Sequence, residues 1–156
     1  MLLWPFKLSG YTLPLTKEGR DRRLSHLNHP VSVWARASRA NYDWALNHLW
    51  ALCDEYNRSY GKIHDAHRLW RFCRDAPRIL DFPSGDILTA LPRCFSSYKG
   101  ALDASTPDTI AAYRQFYWLD KREFARWRSA DEVPAWWPDD PQKYVDNSFK
   151  DGKYCR

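Results

Sequence analysis

The 156-residue sequence lacks the features that announce a class at sight. Its four cysteines, Cys53, Cys73, Cys94 and Cys155, show no CxxC spacing and no regular framework. That excludes the zinc ribbons and disulfide scaffolds which such spacings mark. His64 and His67 form an HxxH, but no further ligand spacing accompanies it, and no metal is expected. No stretch approaches the roughly 20 apolar residues of a membrane span. The apolar opening, residues 1–15, has no basic n-region or small-x-small cleavage pattern, and Pro5 and Lys7 interrupt it, so it does not read as a signal peptide. No internal repeat or low-complexity run is present. These absences leave a soluble protein, expected in the cytoplasm.

What is present points to a folded, basic, aromatic-rich chain. Hydrophobic residues make up 44% and aromatics 16%, too much for a disordered segment. The length suffices for a core without metal or disulfide staples. Nine Trp and nine Tyr exceed what a core requires and offer faces on which bases stack. Twenty-four Lys plus Arg against nineteen Asp plus Glu give a net charge of +5. Sixteen of those cations are Arg, whose planar fork suits phosphate. The balance leans towards a polyanionic partner.

Periodicity predicts an all-α fold, a single helical domain over residues 1–156 with irregular N- and C-terminal segments. Residues 1–15 read as an extended arm or short strand pair. Residues 16–28, with Arg20, Arg22 and Arg23, read as a loop or short helix facing solvent or phosphate. His29-Pro30 marks a boundary, because the residue before proline avoids the α region. A long helix is expected over about 33–59, with Gly61 at its C′ position. A second helix is expected over about 62–75 and a short one near 85–91. Thr106 should cap another long helix over about 107–128, with Pro107 at its first position and Asp108 in its first turn. Tyr42, Leu49, Tyr56, Tyr113 and Phe124 are expected in one core, with Trp136 and Trp137 plugging it from a loop.

Within the first long helix, Asn41, His48, Glu55 and Lys62 recur every seven residues, almost two turns, and so fall on nearly one line. Beside it runs an apolar stripe of Tyr42, Leu46, Leu49, Cys53, Tyr56 and Tyr60. A third line carries Arg39/Asp43 and Asp54/Arg58 as opposite-charge pairs for the solvent side. A row of amide, imidazole, carboxylate and amine is expected to line a pocket, since burying such groups unpaired costs several kcal/mol. Structural polar residues at the edge of the core remain the alternative.

One pattern runs through Asn28-His29-Pro30, Trp34, Arg36, Ser38, Asn41-Tyr42, Leu52-Cys53, Glu55-Tyr56 and Tyr60-Gly61-Lys62 with His64. A second block holds Ala112-Tyr113-Arg114, Tyr117, Lys121, Phe124-Ala125, Trp127, Pro134 and Trp136. Together they resemble a family of small helical proteins found mostly in bacteriophages. That family looks related to the phage enzymes of thymine hypermodification, and distantly to the pyrimidine-dimer DNA glycosylases. Residues 1–27 do not carry the N-terminal pattern of those relatives.

The resemblance implies work on DNA bases: transfer of an amine, from an amino acid or polyamine, onto an activated hydroxymethyl pyrimidine. Such chemistry needs a base to deprotonate the amine, cations for the leaving phosphates and an extruded target base. Glu55 or His48 is the candidate base, and Lys62, Arg36 and Arg114 are candidates for phosphate. Asn41 is the candidate for a pyrimidine edge and Trp34 or Tyr42 for stacking. Asn28, His29 and His64 complete the expected substrate site, while Arg114, Trp118, Lys121 and Arg128 are expected to hold double-stranded DNA. No cofactor is expected. Two alternatives stand: a glycosylase and lyase, with Lys62 as the Schiff-base amine, and a non-enzymatic DNA-binding accessory protein. A phage origin would place the protein in the host cytoplasm.

Overall fold

The structure, a computed structural model, describes residues 1–95 and 108–146. Among the described residues the fold is all-α, without strands; a single isolated bridge joins Trp127 and Val145. No described helix is long and apolar enough to cross a membrane. Thr106, Pro107 and Cys155 lie outside the described residues. The chain forms two compact units, Met1–Pro92 and Arg93–Arg156.

The first unit is built on α1 (Trp4–Leu8), α2 (Pro30–Ala37), α3 (Arg39–Tyr60), α4 (Ala66–Cys73) and α5 (Ala76–Ile79). The expected extended arm at residues 1–15 is instead helical in part. Pro5 starts α1, and Leu2, Leu3 and Phe6 are buried, with the Phe6 ring 4.6 Å from that of Phe72. The expected helix over 85–91 is absent; α5 lies earlier, and residues 82–91 run as an irregular segment.

That segment explains why the first long helix is broken. Ser38 is extended, with φ −138° and ψ 158°, and its hydroxyl caps α3 by accepting Asn41 N–H at 3.1 Å. A break leaves backbone groups without helical partners, and residues 84–89 supply them. Ser84 N–H donates to Ala37 O, Arg39 N–H donates to Gly85 O, and the Ser38 hydroxyl donates to Ile87 O. At the far end Gly61 takes φ 62°, the left-handed C′ geometry, and donates to Asn57 O.

At 22 residues α3 is about 33 Å long. Its first half holds the core, where Tyr42, Ala45 and Leu46 pack with Trp34, Leu2, Leu3, Phe6 and Cys73. Burial pushes the Cys73 thiol up to about 11 and raises the Tyr42 phenol too; the Tyr42 hydroxyl donates to Leu2 O at 3.0 Å.

In the second unit α6 (Thr109–Lys121) is capped by the Asp108 carboxylate, which accepts from Ile110 and Ala111 N–H. It stops seven residues short of the expected end at 128. Phe95 and Ala112 form a small core with Tyr113 and Phe116, separate from the cluster around Tyr42. A second aromatic group centres on Trp137, whose ring lies 5.2 to 5.6 Å from those of Trp118, Trp127, Trp136 and Tyr144. Trp137 is buried within this aromatic group rather than in the cluster around Tyr42, and Trp136 is half-buried.

Candidate functional site

The four residues of the heptad row meet four different environments. Asn41 is fully enclosed and spent on structure: its Nδ2 donates to Trp34 O and Thr89 Oγ1, both at 2.9 Å, and its Oδ1 accepts Thr89 N–H at 2.8 Å. Both of its donors are spent and the amide is fully enclosed, so it does not meet a pyrimidine edge. His48 is exposed and stacks on Trp44 at 5.3 Å. Glu55 is exposed, accepting from both Arg58 nitrogens at 2.8 and 2.9 Å and from Ser59 Oγ at 2.7 Å. Arg58 thus pairs with Glu55 rather than with Asp54. Lys62 is exposed beyond the helix end.

The row therefore does not converge. Successive members are about 10 Å apart along the axis. Core residues of other elements pack on Tyr42, Ala45 and Leu46 in the N-terminal half of α3, whereas Glu55 farther along is exposed. A continuous line of residues is not a continuous environment.

Other expected site residues are also structural. Trp34 is buried, donates its indole N–H to Thr89 O at 3.1 Å, and meets Trp44 edge-on. Arg36 is half-buried and donates to Leu27 O at 2.5 Å, pinning the loop before α2. His64 turns its Nδ1 to Ala66 N–H at 3.0 Å and lines a cavity of about 220 Å³ with Trp50, Cys53 and His67. Asn28 is exposed, and its neighbour His29 caps α2 through Nδ1 and Val31 N–H.

Two features of the described surface can take a ligand. In the first unit a cavity of about 640 Å³ opens before α2, lined on its polar side by Arg22, Arg23, His26, His29 and Ser32. Of the residues expected in a site it takes His29. The basic run before His29 contributes Arg22, Arg23 and His26, for which its composition was the signal, and Ser32 comes from α2.

In the second unit a groove of about 360 Å³ is lined by Tyr117, Lys121, Phe124, Trp127, Trp136 and Trp137. Phe124 was expected inside, yet it is 68% exposed, and Tyr117 beside it is 49% exposed. Helical spacing held only to Lys121. Beyond it the chain turns, with Phe124 and Ala125 N–H donating to Lys121 O, so position 124 leaves the inner face. Trp127 is held by a two-bond clasp, its N–H donating to Tyr144 O and its carbonyl accepting Asp146 N–H, both at 2.8 Å.

Cations surround this aromatic surface. Lys121 lies 5.9 and 5.8 Å from the ring centroids of Phe116 and Phe124 and also pairs with Asp120. Arg114 sits over Trp136 at 5.5 Å and Arg122 over Trp118 at 5.4 Å. Trp118, expected to face DNA, is half-buried against Trp137. Arg128 is committed to Glu132 through both ends of its fork, at 3.1 and 2.8 Å, and does not stand ready for phosphate. No family model, curated protein or solved structure matches the chain.

Proposed function

We propose that the protein binds DNA as a non-enzymatic module, seating an unpaired or extruded base in the aromatic groove of its second unit. The make-up of that groove carries the reading: exposed Tyr117 and Phe124 rings with Trp136, and the Lys121 ammonium among them. Aromatic faces accept any base, each stack contributing about 1–3 kcal/mol. Lys121, Arg114 and Arg122 supply the charge that phosphates require. An aromatic cage for an organic cation fits less well, because Lys121 would repel it. The net charge of +5 agrees with a polyanionic partner.

Amine transfer onto a pyrimidine needs a general base, an amine and a phosphate clamp at one cavity. Asn41 is enclosed, His48 and Glu55 lie about two turns apart on α3, and Lys62 lies beyond its end, so the residues support binding above transfer. The same dispersal weakens the lyase reading, in which Lys62 would need a pocket.

Fluorescence anisotropy with a single-stranded oligonucleotide, and with a duplex holding one unpaired base, tests the proposal. Both should bind more tightly than an intact duplex, with affinity falling as salt rises and tryptophan emission quenched. Equal affinity for the intact duplex, or affinity indifferent to salt, would remove the groove reading.

A further inference from the structure

We propose that the cavity before α2 in the first unit is a binding site for a small phosphorylated molecule, its phosphoryl group held by Arg23, Ser32 and His29. This inference is independent of the DNA reading, which rests on the second unit.

Ser32 provides the observation that asks for a ligand. It is 3% exposed and lines the cavity, yet its hydroxyl has no hydrogen-bond partner among the described residues. Its backbone N–H, at the third position of α2, has no acceptor there either. Val31 N–H is taken by the His29 cap and Val33 N–H by His29 O, which leaves Ser32 with both unused donors of the helix start. A hydroxyl and an amide side by side at the cavity wall, at the positive end of an eight-residue helix, match the oxygens of an oxyanion.

The side chains around them have the matching charge. Arg23 lines the cavity and makes no ion pair or hydrogen bond among the described residues. Arg22 is fixed beside it, donating to Pro14 O at 2.9 Å and Leu15 O at 3.2 Å, with Asp65 3.8 Å away. His29 spends Nδ1 as an acceptor, so its Nε2 carries a proton and donates. No carboxylate lines the cavity.

The loop bearing these groups is held in place. Ser25 O accepts the Trp4 indole N–H at 3.0 Å, Leu27 O accepts from Arg36, and His29 N–H donates to His26 O. His26 takes φ 61°, a conformation that non-glycine residues rarely adopt. The size indicates more than a bare anion. About 640 Å³ lies within the range of small-molecule sites, and Leu3, Leu24, Val31 and Leu69 form an apolar side for an organic body. A phosphomonoester of nucleotide size has both parts.

Calorimetric titration of the full chain with adenosine 5′-monophosphate, adenosine and inorganic phosphate tests the site. The monophosphate should bind at least tenfold more tightly than adenosine, and inorganic phosphate should compete with it. Arg23→Gln should weaken monophosphate binding at least tenfold and Ser32→Ala at least threefold, with circular dichroism unchanged. Ser32→Cys, a second variant of similar size, guards against a packing effect and should weaken binding likewise. Phe124→Ala should leave monophosphate binding unchanged, which separates this site from the DNA groove. Failure of both phosphate and monophosphate to bind would overturn the proposal, as would full affinity in Arg23→Gln. Equal competition by an oligonucleotide without a terminal phosphate would also overturn it, since the cavity would then follow a DNA backbone.

Discussion

Asn41 and Thr89 close a reciprocal pair: Thr89 N–H donates to Asn41 Oδ1 at 2.8 Å, while Asn41 Nδ2 donates to Thr89 Oγ1 at 2.9 Å. With a further bond to Trp34 O at 2.9 Å, this one amide ties α2, α3 and the segment that fills the break between them. Removing a buried partner leaves the others desolvated and unpaired. Asn41→Ala should therefore destabilise the first unit by about 2–4 kcal/mol in urea unfolding. A loss below about 1 kcal/mol would mean that Thr89 and Trp34 find other partners.

Glu55 tests the opposite case. Its carboxylate is 53% exposed, and its ion pair with Arg58 is of the i,i+3 kind that contributes only a few tenths of a kcal/mol. Glu55→Gln should change stability by less than about 0.5 kcal/mol and leave DNA affinity unaltered. Loss of a DNA-dependent activity with binding intact would restore the transfer reading and place the general base at this residue.

The contrast between these two residues shows what the sequence could and could not disclose. Seven-residue spacing located Asn41, His48 and Glu55 on one line of α3 as a matter of helix geometry, whereas Lys62 falls past the left-handed Gly61 and leaves that line. The spacing said nothing of which neighbours cover each stretch of that line, because covering elements come from distant segments: Thr89 lies 48 residues from Asn41. The break at Ser38 was obscured for the same reason, since a cap in mid-pattern is stable only when another segment satisfies the helix ends. Local signals fared better. Gly61 ends α3, and Cys53 and Cys73 are buried as small apolar groups, while α6 starts two residues later than expected, with Asp108 rather than Thr106 as its cap. At Phe124 the apolar pattern outlasted the helix, and a residue read as core became surface.

Cys73 and Tyr42 give the first unit a weakness to alkali. Both are buried and protonated in the fold, with the Cys73 thiol pushed up from 9.0 to about 11 by burial. Above pH 9 the unfolded chain releases protons that the folded chain retains, so the unfolded state gains and stability falls as pH rises. The contribution is complete below pH 9 and is lost as pH climbs through about 11. Urea midpoints measured from pH 8 to 11 should decline, and Cys73→Ala should flatten part of that decline while costing stability at pH 8. Thiol labelling at pH 8 should spare Cys73 in the folded protein. Prompt native-state labelling there would contradict its burial.

The aromatic groove yields the most discriminating set of variants, because its exposed and committed residues should behave differently. Phe124 is 68% exposed and Tyr117 49%, so neither contributes much to folding. If bases stack on them, Phe124→Ala and Tyr117→Ala should each weaken binding of single-stranded DNA by about 1–3 kcal/mol, roughly 5- to 150-fold. Lys121→Ala should weaken it across all sequences and lower the salt dependence by about 0.7, the value for one phosphate contact on a single strand. Arg128 supplies the control. Its guanidinium is bound to Glu132 at 2.8 Å, with side-chain exposures of 26% and 21%. Arg128→Ala should cost about 0.5–1 kcal/mol of stability while leaving the salt dependence of binding as it was. A reversal, with Arg128 carrying the salt effect and Phe124 silent, would move the DNA contact away from the groove. Anisotropy titrations at four salt concentrations, paired with urea unfolding of each variant, distinguish the two outcomes.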